Sequence, residues 1–171
     1  LQGTRPFVLN RRSSVNGVLQ NRKGHPVLKI WGSPKERGYA QGFLIAEQII
    51  EFFQYFILES TTESSDLYLK YYQPIFADSL AGKPNAMFSL DEDSLEEINA
   101  MIQGMIDSGV DMRLEDLDRD FSAVDILAIN SYIEMEFLQK NVEGSTRDPT
   151  AACSQFSFWN TQTKSNLGLN G

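Results

Sequence analysis

Apolar side chains recur at helical spacing over much of the chain, most clearly between residues 34 and 59. Ser33 can cap a helix, Pro34 suits its first position, and Glu36 completes a capping box. This pattern predicts a helix that runs to about Glu59. Its apolar positions, at steps of three or four, are Tyr39, Phe43, Ala46, Ile50, Phe53 and Ile57.

Two glycines, Gly38 and Gly42, lie four residues apart in this predicted helix. A glycine inside an exposed helix costs about 1 kcal/mol relative to alanine. We therefore expect these positions to serve packing, where a second backbone comes close to the helix, rather than chemistry.

Three further helices are predicted. The first runs from Ser65 to about Leu80 and is broken or kinked at Pro74. A capping box at Ser89–Glu92 begins the second, which closes at Gly109. Met112 to Asp120 reads as a charged connector. Ser122 then caps the third helix, which ends near Asn141 and carries Ile126, Ile129, Ile133 and Phe137 on one face.

Two short hairpins are predicted at opposite ends of the chain. Residues 17–20 and 27–31 flank a turn-rich hexapeptide, and residues 154–159 alternate before a turn and a returning strand at 167–169. An isolated two-stranded ribbon is marginal in water, so we expect more sheet to join the second hairpin. The predicted fold class is α+β and mostly helical.

Composition and charge argue against some classes of function but do not identify one. The chain has 171 residues, of which 42% are hydrophobic, so a packed core is expected. A formal net charge of −8 argues against nucleic-acid binding, which requires clustered Lys and Arg. No apolar run is long enough to span a membrane. Acidic residues after Asp91 are typical of a helix start and give no reason to expect a metal, and no cofactor is predicted.

The chemistry-bearing residue is Cys153, the only cysteine. It follows the small residues Thr150, Ala151 and Ala152 and begins the predicted strand. A thiol in that position suits an N-terminal-nucleophile hydrolase that cleaves itself at Ala152-Cys153. The freed α-amine, with an ordinary pKa near 7.7–8.0, would then serve as the base for the thiol.

Two other interpretations stay open. Cys153 can be a buried structural residue of a non-catalytic helical interaction domain whose aromatic faces dock a partner. It can also pair with His25, the only histidine, in a conventional thiol hydrolase. Because His25 lies in the predicted hairpin turn, and turn residues are usually exposed, we expect no catalytic role for it.

Two segments resemble a known family. Ser33 to Gly42 resembles the opening motif of the C45-type acyltransferases and acylhydrolases, which include the penicillin-biosynthesis acyltransferase and, more distantly, the phospholipase B-like proteins. The helix bearing Ile129–Tyr132 and the segment Ala152–Trp159 are similar to the region around that family's cleavage site. The resemblance covers about residues 27–171.

The resemblance implies an αββα Ntn-hydrolase fold, of which this chain holds a helical propiece (1–152) and the truncated start of the nucleophile-bearing chain (153–171). It implies self-cleavage by an N-to-S acyl shift, with Cys153 as nucleophile and the carbonyl of Ala152 as the scissile group. Relatives often carry glycine where Ala152 stands, so slower processing is expected. An Arg-Asn-x-Asp-Trp motif that supplies pocket and oxyanion groups would follow Gly171, so residues 1–171 are expected to be inactive on their own. Phe156 and Trp159 are candidate substrate contacts.

The expected partners are the downstream part of the same precursor and a small acyl amide or ester. The acyl donor stays open between acyl-peptide, acyl-amino-acid, bile-salt-like amide and phospholipid. An oligomer is left open, the compartment is unknown, and an extracytoplasmic location is favoured over a cytoplasmic one.

Overall fold

The computed structural model describes residues 15–61, 65–131, 157–158 and 169–170. The chain divides into two units, residues 1–132 and 133–171. The predicted boundary between residues 152 and 153 lies outside the described residues. In the described part the chain is α+β and mostly helical, with three two-stranded antiparallel sheets.

The first sheet is the predicted N-terminal hairpin, with a tighter turn than expected. Strands β1 (Gly17–Arg22) and β2 (His25–Ile30) pair from Gly17 opposite Ile30 to Arg22 opposite His25. Only Lys23 and Gly24 form the loop, with φ of 55° and 86°. Positive φ at both central residues defines the turn whose twist matches a hairpin. The predicted six-residue turn is therefore wrong, because four of its residues pair within the strands.

Helix α1 (Pro34–Phe52) begins with the predicted capping box. The carboxylate of Glu36 accepts a hydrogen bond from the backbone N–H of Ser33 at 2.8 Å, and the backbone N–H of Glu36 donates to the Ser33 hydroxyl at 3.3 Å. Inside α1, Ile45 departs from helical geometry (φ −133°, ψ 28°), which kinks the helix. A π-helical segment, Phe53–Thr61, continues it close to the predicted end.

The second helical region has the predicted bounds, Ser65 to Leu80. Its helix type changes from π to α just before Pro74. It consists of α2 (Ser65–Leu67), a π-helical segment (Tyr68–Tyr72) and α3 (Gln73–Leu80). The N–H of Gln73 donates to the carbonyl of Tyr68, five residues back. Pro74, which has no N–H, then occupies the first turn of α3, where helices tolerate it.

Helix α4 (Glu92–Ser108) is capped by Asp91, whose side chain accepts from the N–H of Ser94 at 2.7 Å. The predicted capping box at Ser89–Glu92 is therefore wrong by two residues. Asp and Ser are comparable caps, so sequence alone did not discriminate between them. The helix ends as predicted at Gly109, which adopts the left-handed conformation (φ 77°).

The predicted charged connector contains a small hairpin instead of an irregular link. Strands β3 (Arg113–Leu114) and β4 (Arg119–Asp120) flank a single 3-10 turn, Glu115–Leu117. Helix α5 (Ala123–Asn130) follows, with Ser122 at its N-cap as expected. Its predicted continuation to Asn141 lies outside the described residues.

Helices α1 and α4 pack through their backbones. A methyl group on Gly38 would lie 2.1 Å from the carbonyl oxygen of Glu97, and one on Gly42 would lie 2.0 Å from that of Met101. Gly104 of α4 makes the reciprocal contact, because a methyl group there would lie 2.2 Å from the carbonyl oxygen of Tyr39 in α1. The close approach expected from the glycine spacing is confirmed.

In the described part of residues 1–132 the core takes buried apolar side chains from α1, α3, α4, α5 and both π-helical segments. The ring of Phe53 makes edge contacts with Tyr68 and Phe121, with centroids 5.3 Å and 5.5 Å apart. Large side chains with at most 2% exposure include Phe53, Tyr68, Phe76, Met105, Leu114 and Ile126. None of the described helices is both long and apolar enough to cross a membrane.

In residues 133–171 the described structure is one strand pair. Strands β5 (Ser157–Phe158) and β6 (Leu169–Asn170) are antiparallel, with Ser157 opposite Asn170 and Phe158 opposite Leu169. The predicted returning hairpin is confirmed at these four residues.

Candidate functional site

The residues predicted to carry the chemistry lie mainly outside the described part of the chain. Ala152, Cys153, Phe156 and Trp159 all fall there. His25 is described: it is exposed, and it lies in β2 opposite Arg22 rather than in the turn. The expected exposure of His25 is confirmed, whereas its predicted place in the turn is wrong.

The described residues contain a charged cluster that sequence analysis did not anticipate. We call Asp125, Arg119, Tyr68 and Ser122 the Asp125 cluster. Asp125 is fully buried in the first turn of α5. Arg119, at the start of β4, donates to both of its carboxylate oxygens, at 2.7 Å and 2.8 Å. This bidentate geometry is the strongest form of an Arg–carboxylate pair.

Three more donors complete the coordination of Asp125. The hydroxyl of Tyr68 donates to Oδ1 at 2.8 Å. The backbone N–H and the hydroxyl of Ser122 donate to Oδ2 at 2.8 Å and 3.0 Å. Five donors therefore satisfy one buried carboxylate, which removes most of the cost of burying it.

The cluster shifts the acidity of its own members. The hydrogen bonds from Arg119 to Asp125 raise the pKa of the guanidinium. Burial, and next the negative charge of Asp125, raise the pKa of the Tyr68 hydroxyl. Both shifts favour the protonated forms, so Tyr68 stays a donor and Arg119 a cation over the ordinary pH range.

The arrangement indicates a structural role for the cluster. Both oxygens of Asp125 already accept hydrogen bonds, so the carboxylate has little capacity left to accept one from a substrate. Among the described residues, only Nε of Arg119 is a buried side-chain nitrogen or oxygen without a hydrogen-bond partner. The cluster instead connects a π-helical segment, β4 and the start of α5.

The cluster was not predicted from the sequence, although the sequence holds one signal for it. Asp125 lies between Val124 and the apolar run Ile126–Ala128, where an unpaired carboxylate would be costly. A charge in that setting predicts a buried partner. The partners, Tyr68 and Arg119, lie 57 and 6 residues away in sequence, and no local pattern identifies the first.

A groove of about 230 Å³ lies between α1, α4 and α5; we call it the α1/α5 groove. The described polar side chains that line the groove are three carboxamides, those of Gln41, Gln48 and Asn130. The apolar lining consists of Ile45, Ile49, Phe52, Met101, Ile126 and Ile129.

The α1 contribution to the groove follows from helical spacing. Gln41, Ile45, Gln48 and Phe52 recur at steps of three or four, so they share one face of the helix. The kink at Ile45 falls in the middle of this stripe. The apolar positions used to predict α1 from the sequence do not include Ile45, Ile49 or Phe52, and the two glutamines were not considered.

The described residues contain no group of three or more His, Cys, Asp or Glu side chains placed to hold a metal ion. Comparisons with protein-family models, with curated proteins and with solved structures found no match to this chain.

Proposed function

We propose that this chain carries the self-cleavage site of a cysteine N-terminal-nucleophile acyl hydrolase or acyltransferase, with Cys153 as its nucleophile. The observation that carries the proposal is the position of Cys153, behind the small residues Ala151 and Ala152 and four residues before Ser157 of β5. A nucleophile at the entrance to a strand can face a cleft while the strand holds it in place.

The self-cleavage step begins with attack of the Cys153 thiol on the carbonyl carbon of Ala152. The peptide C–N bond breaks, the nitrogen takes up the thiol proton, and a thioester joins the two residues. Water then hydrolyses the thioester to give a carboxylate on Ala152 and a free thiol and α-amine on Cys153.

The mature reaction uses the same two groups of Cys153. Its α-amine accepts the thiol proton, and the thiolate attacks an acyl amide or ester to form an acyl thioester. The leaving amine or alcohol takes the proton. Water or a second amine then receives the acyl group and restores the thiol. The resemblance of residues 33–42 and 152–159 to C45-type enzymes supports this sequence of steps.

Intact-mass analysis of the precursor with the downstream segment that the resemblance implies tests the proposal. Wild type should yield fragment 1–152 and a second fragment that begins at Cys153, and Cys153→Ala should remain whole. Ser154→Ala is the matched control, because it removes a neighbouring nucleophile and leaves the thiol, so it should still be cleaved. His25→Ala should also be cleaved. An uncut wild-type chain, or cleavage in Cys153→Ala, contradicts self-cleavage by this thiol.

A second candidate function, a non-catalytic interaction domain, is favoured by a different observation. Phe52 stacks on Phe56 with centroids 4.4 Å apart, and Tyr55 meets Phe56 edge-on at 5.1 Å. Tyr55 is 61% exposed and Phe56 is 42% exposed. Clustered exposed aromatic side chains are typical of interaction surfaces.

The two candidates predict different behaviour of Cys153. In an interaction domain the thiol resists alkylation in the folded protein, and Cys153→Ser leaves every property unchanged. In the proposed enzyme the freed thiol reacts readily, because its own α-amine promotes thiolate formation. Alkylation rates of the folded and the denatured protein, followed by mass, distinguish them.

A further inference from the structure

We propose that the α1/α5 groove binds the hydrocarbon chain of an uncharged amphiphile, whose polar group meets the carboxamides of Gln41, Gln48 and Asn130. The proposal is independent of the chemistry at Cys153.

The size of the groove indicates a small ligand. Its volume of about 230 Å³ exceeds the roughly 150 Å³ of an apolar cavity that holds benzene. A second copy of the chain or a partner protein would need about 800 Å² on each side, contributed by about 20–30 residues. The nine described residues that line the groove do not reach that number on their own.

The charge of the lining indicates an uncharged ligand. None of the nine described lining side chains is ionisable, although 22% of the residues in the chain are charged. An ionic head group would find no counter-charge among these side chains. A carboxamide both donates and accepts hydrogen bonds, so it suits a neutral amide or alcohol.

The exposure of the apolar lining supplies the driving force. Among the lining residues, Ile49, Met101 and Ile126 are buried, while Ile45 and Ile129 remain partly exposed. A hydrocarbon chain would remove this remaining apolar surface from water. The carboxamides lie on α1 and α5, so one ligand can contact both helices.

Calorimetric titration of the Cys153→Ala chain tests this proposal without interference from self-cleavage. The probes are octanamide, octanoate and octylammonium, which share chain length and differ in head-group charge. Octanamide should bind at least tenfold more tightly than either charged probe. In the same protein, octanamide should shift the NMR methyl signals of Ile45, Ile126 and Ile129 and leave that of Ile106 unmoved.

Two isoleucine substitutions provide a matched pair. Ile129→Trp fills the groove and should weaken octanamide binding at least tenfold, whereas Ile106→Trp alters an exposed isoleucine of α4 outside the groove lining and should not. Absence of octanamide binding, equal binding of the three probes, or methyl shifts elsewhere would overturn the proposal. A dimer in sedimentation with these methyls at its interface would also overturn it, by assigning the groove to a second copy. The methyl shifts decide the matter even if Ile129→Trp fails to fold.

Discussion

The α1–α4 contact and the Asp125 cluster are both buried, but they depend on different interactions. The helices meet through glycine and backbone atoms, with no side chain between them at Gly38, Gly42 and Gly104. The cluster joins its elements through five hydrogen bonds to one carboxylate. The helix contact is therefore sensitive to added volume, and the cluster is sensitive to loss of a charge. We expect different substitutions to destabilise the two regions.

The largest effect is expected at Asp125. Asp125→Asn keeps the shape of the side chain but leaves the Arg119 guanidinium without its counter-charge. Breaking one side of a buried ion pair costs about 3–5 kcal/mol. Urea unfolding of the Cys153→Ala chain, followed by circular dichroism, measures the loss.

An apolar replacement of the whole cluster separates charge from shape. In the triple variant Asp125→Leu, Arg119→Met, Tyr68→Phe no charge is left unpaired, so we expect most of the lost stability to return. If this variant were as unstable as Asp125→Asn, the cluster would stabilise the fold through the geometry of its hydrogen bonds rather than through the balance of charge.

The next effect is expected at Gly42. In Gly42→Ala the added methyl would lie 2.0 Å from the backbone oxygen of Met101, so the helices must separate. Overpacking of this kind costs about 1–3 kcal/mol, and the backbone origin of the clash favours the upper part of that range. Denaturant titration gives the value. Glu47→Ala, an exposed change on the same helix, should have little effect.

These two contacts also show what sequence could and could not predict. Gly38 and Gly42 lie four residues apart in one helix, so a local pattern indicated the close approach of the two helices. The capping box of α1 was likewise predicted from neighbouring residues. Asp125 depends on Tyr68, which is 57 residues away, and no periodicity links the two. The α1/α5 groove likewise requires three helices to be assembled. The Ala152-Cys153 site was predicted from local sequence alone and stays a prediction.

A smaller, pH-dependent effect is expected at Tyr68. Because burial raises its pKa, the folded state favours the protonated hydroxyl. The unfolded chain ionises near its ordinary value of about 10, so this contribution to stability is complete below pH 10 and is lost as the pH rises above it. Tyr68→Phe should cost about 1.5–3 kcal/mol at neutral pH, since it removes a hydrogen bond to a charged group.

The difference between wild type and Tyr68→Phe should therefore shrink between pH 10 and 11, measured by urea midpoints. Tyr71→Phe is the control, because Tyr71 is 38% exposed and its hydroxyl lies outside the cluster. A difference that stays constant across this range would mean that Tyr68 ionises as easily in the folded protein as in the unfolded chain.

The smallest effect is expected at the start of α1, where the contact is exposed to solvent. Ser33→Ala removes the hydroxyl of the capping box and should cost about 1 kcal/mol, and Ser33→Asp should restore most of it. The backbone N–H of Ser33, and next its hydroxyl, lower the pKa of Glu36. Stability from that carboxylate is complete above its unfolded value of about 4.3 and is lost as the pH falls through its lower folded value. In acid the thermal midpoints of Ser33→Ala and wild type should come closer but not meet, because the backbone N–H of Glu36 still donates to the Ser33 hydroxyl of wild type. The gap between Gly42→Ala and wild type should not change, because a steric clash does not depend on protonation.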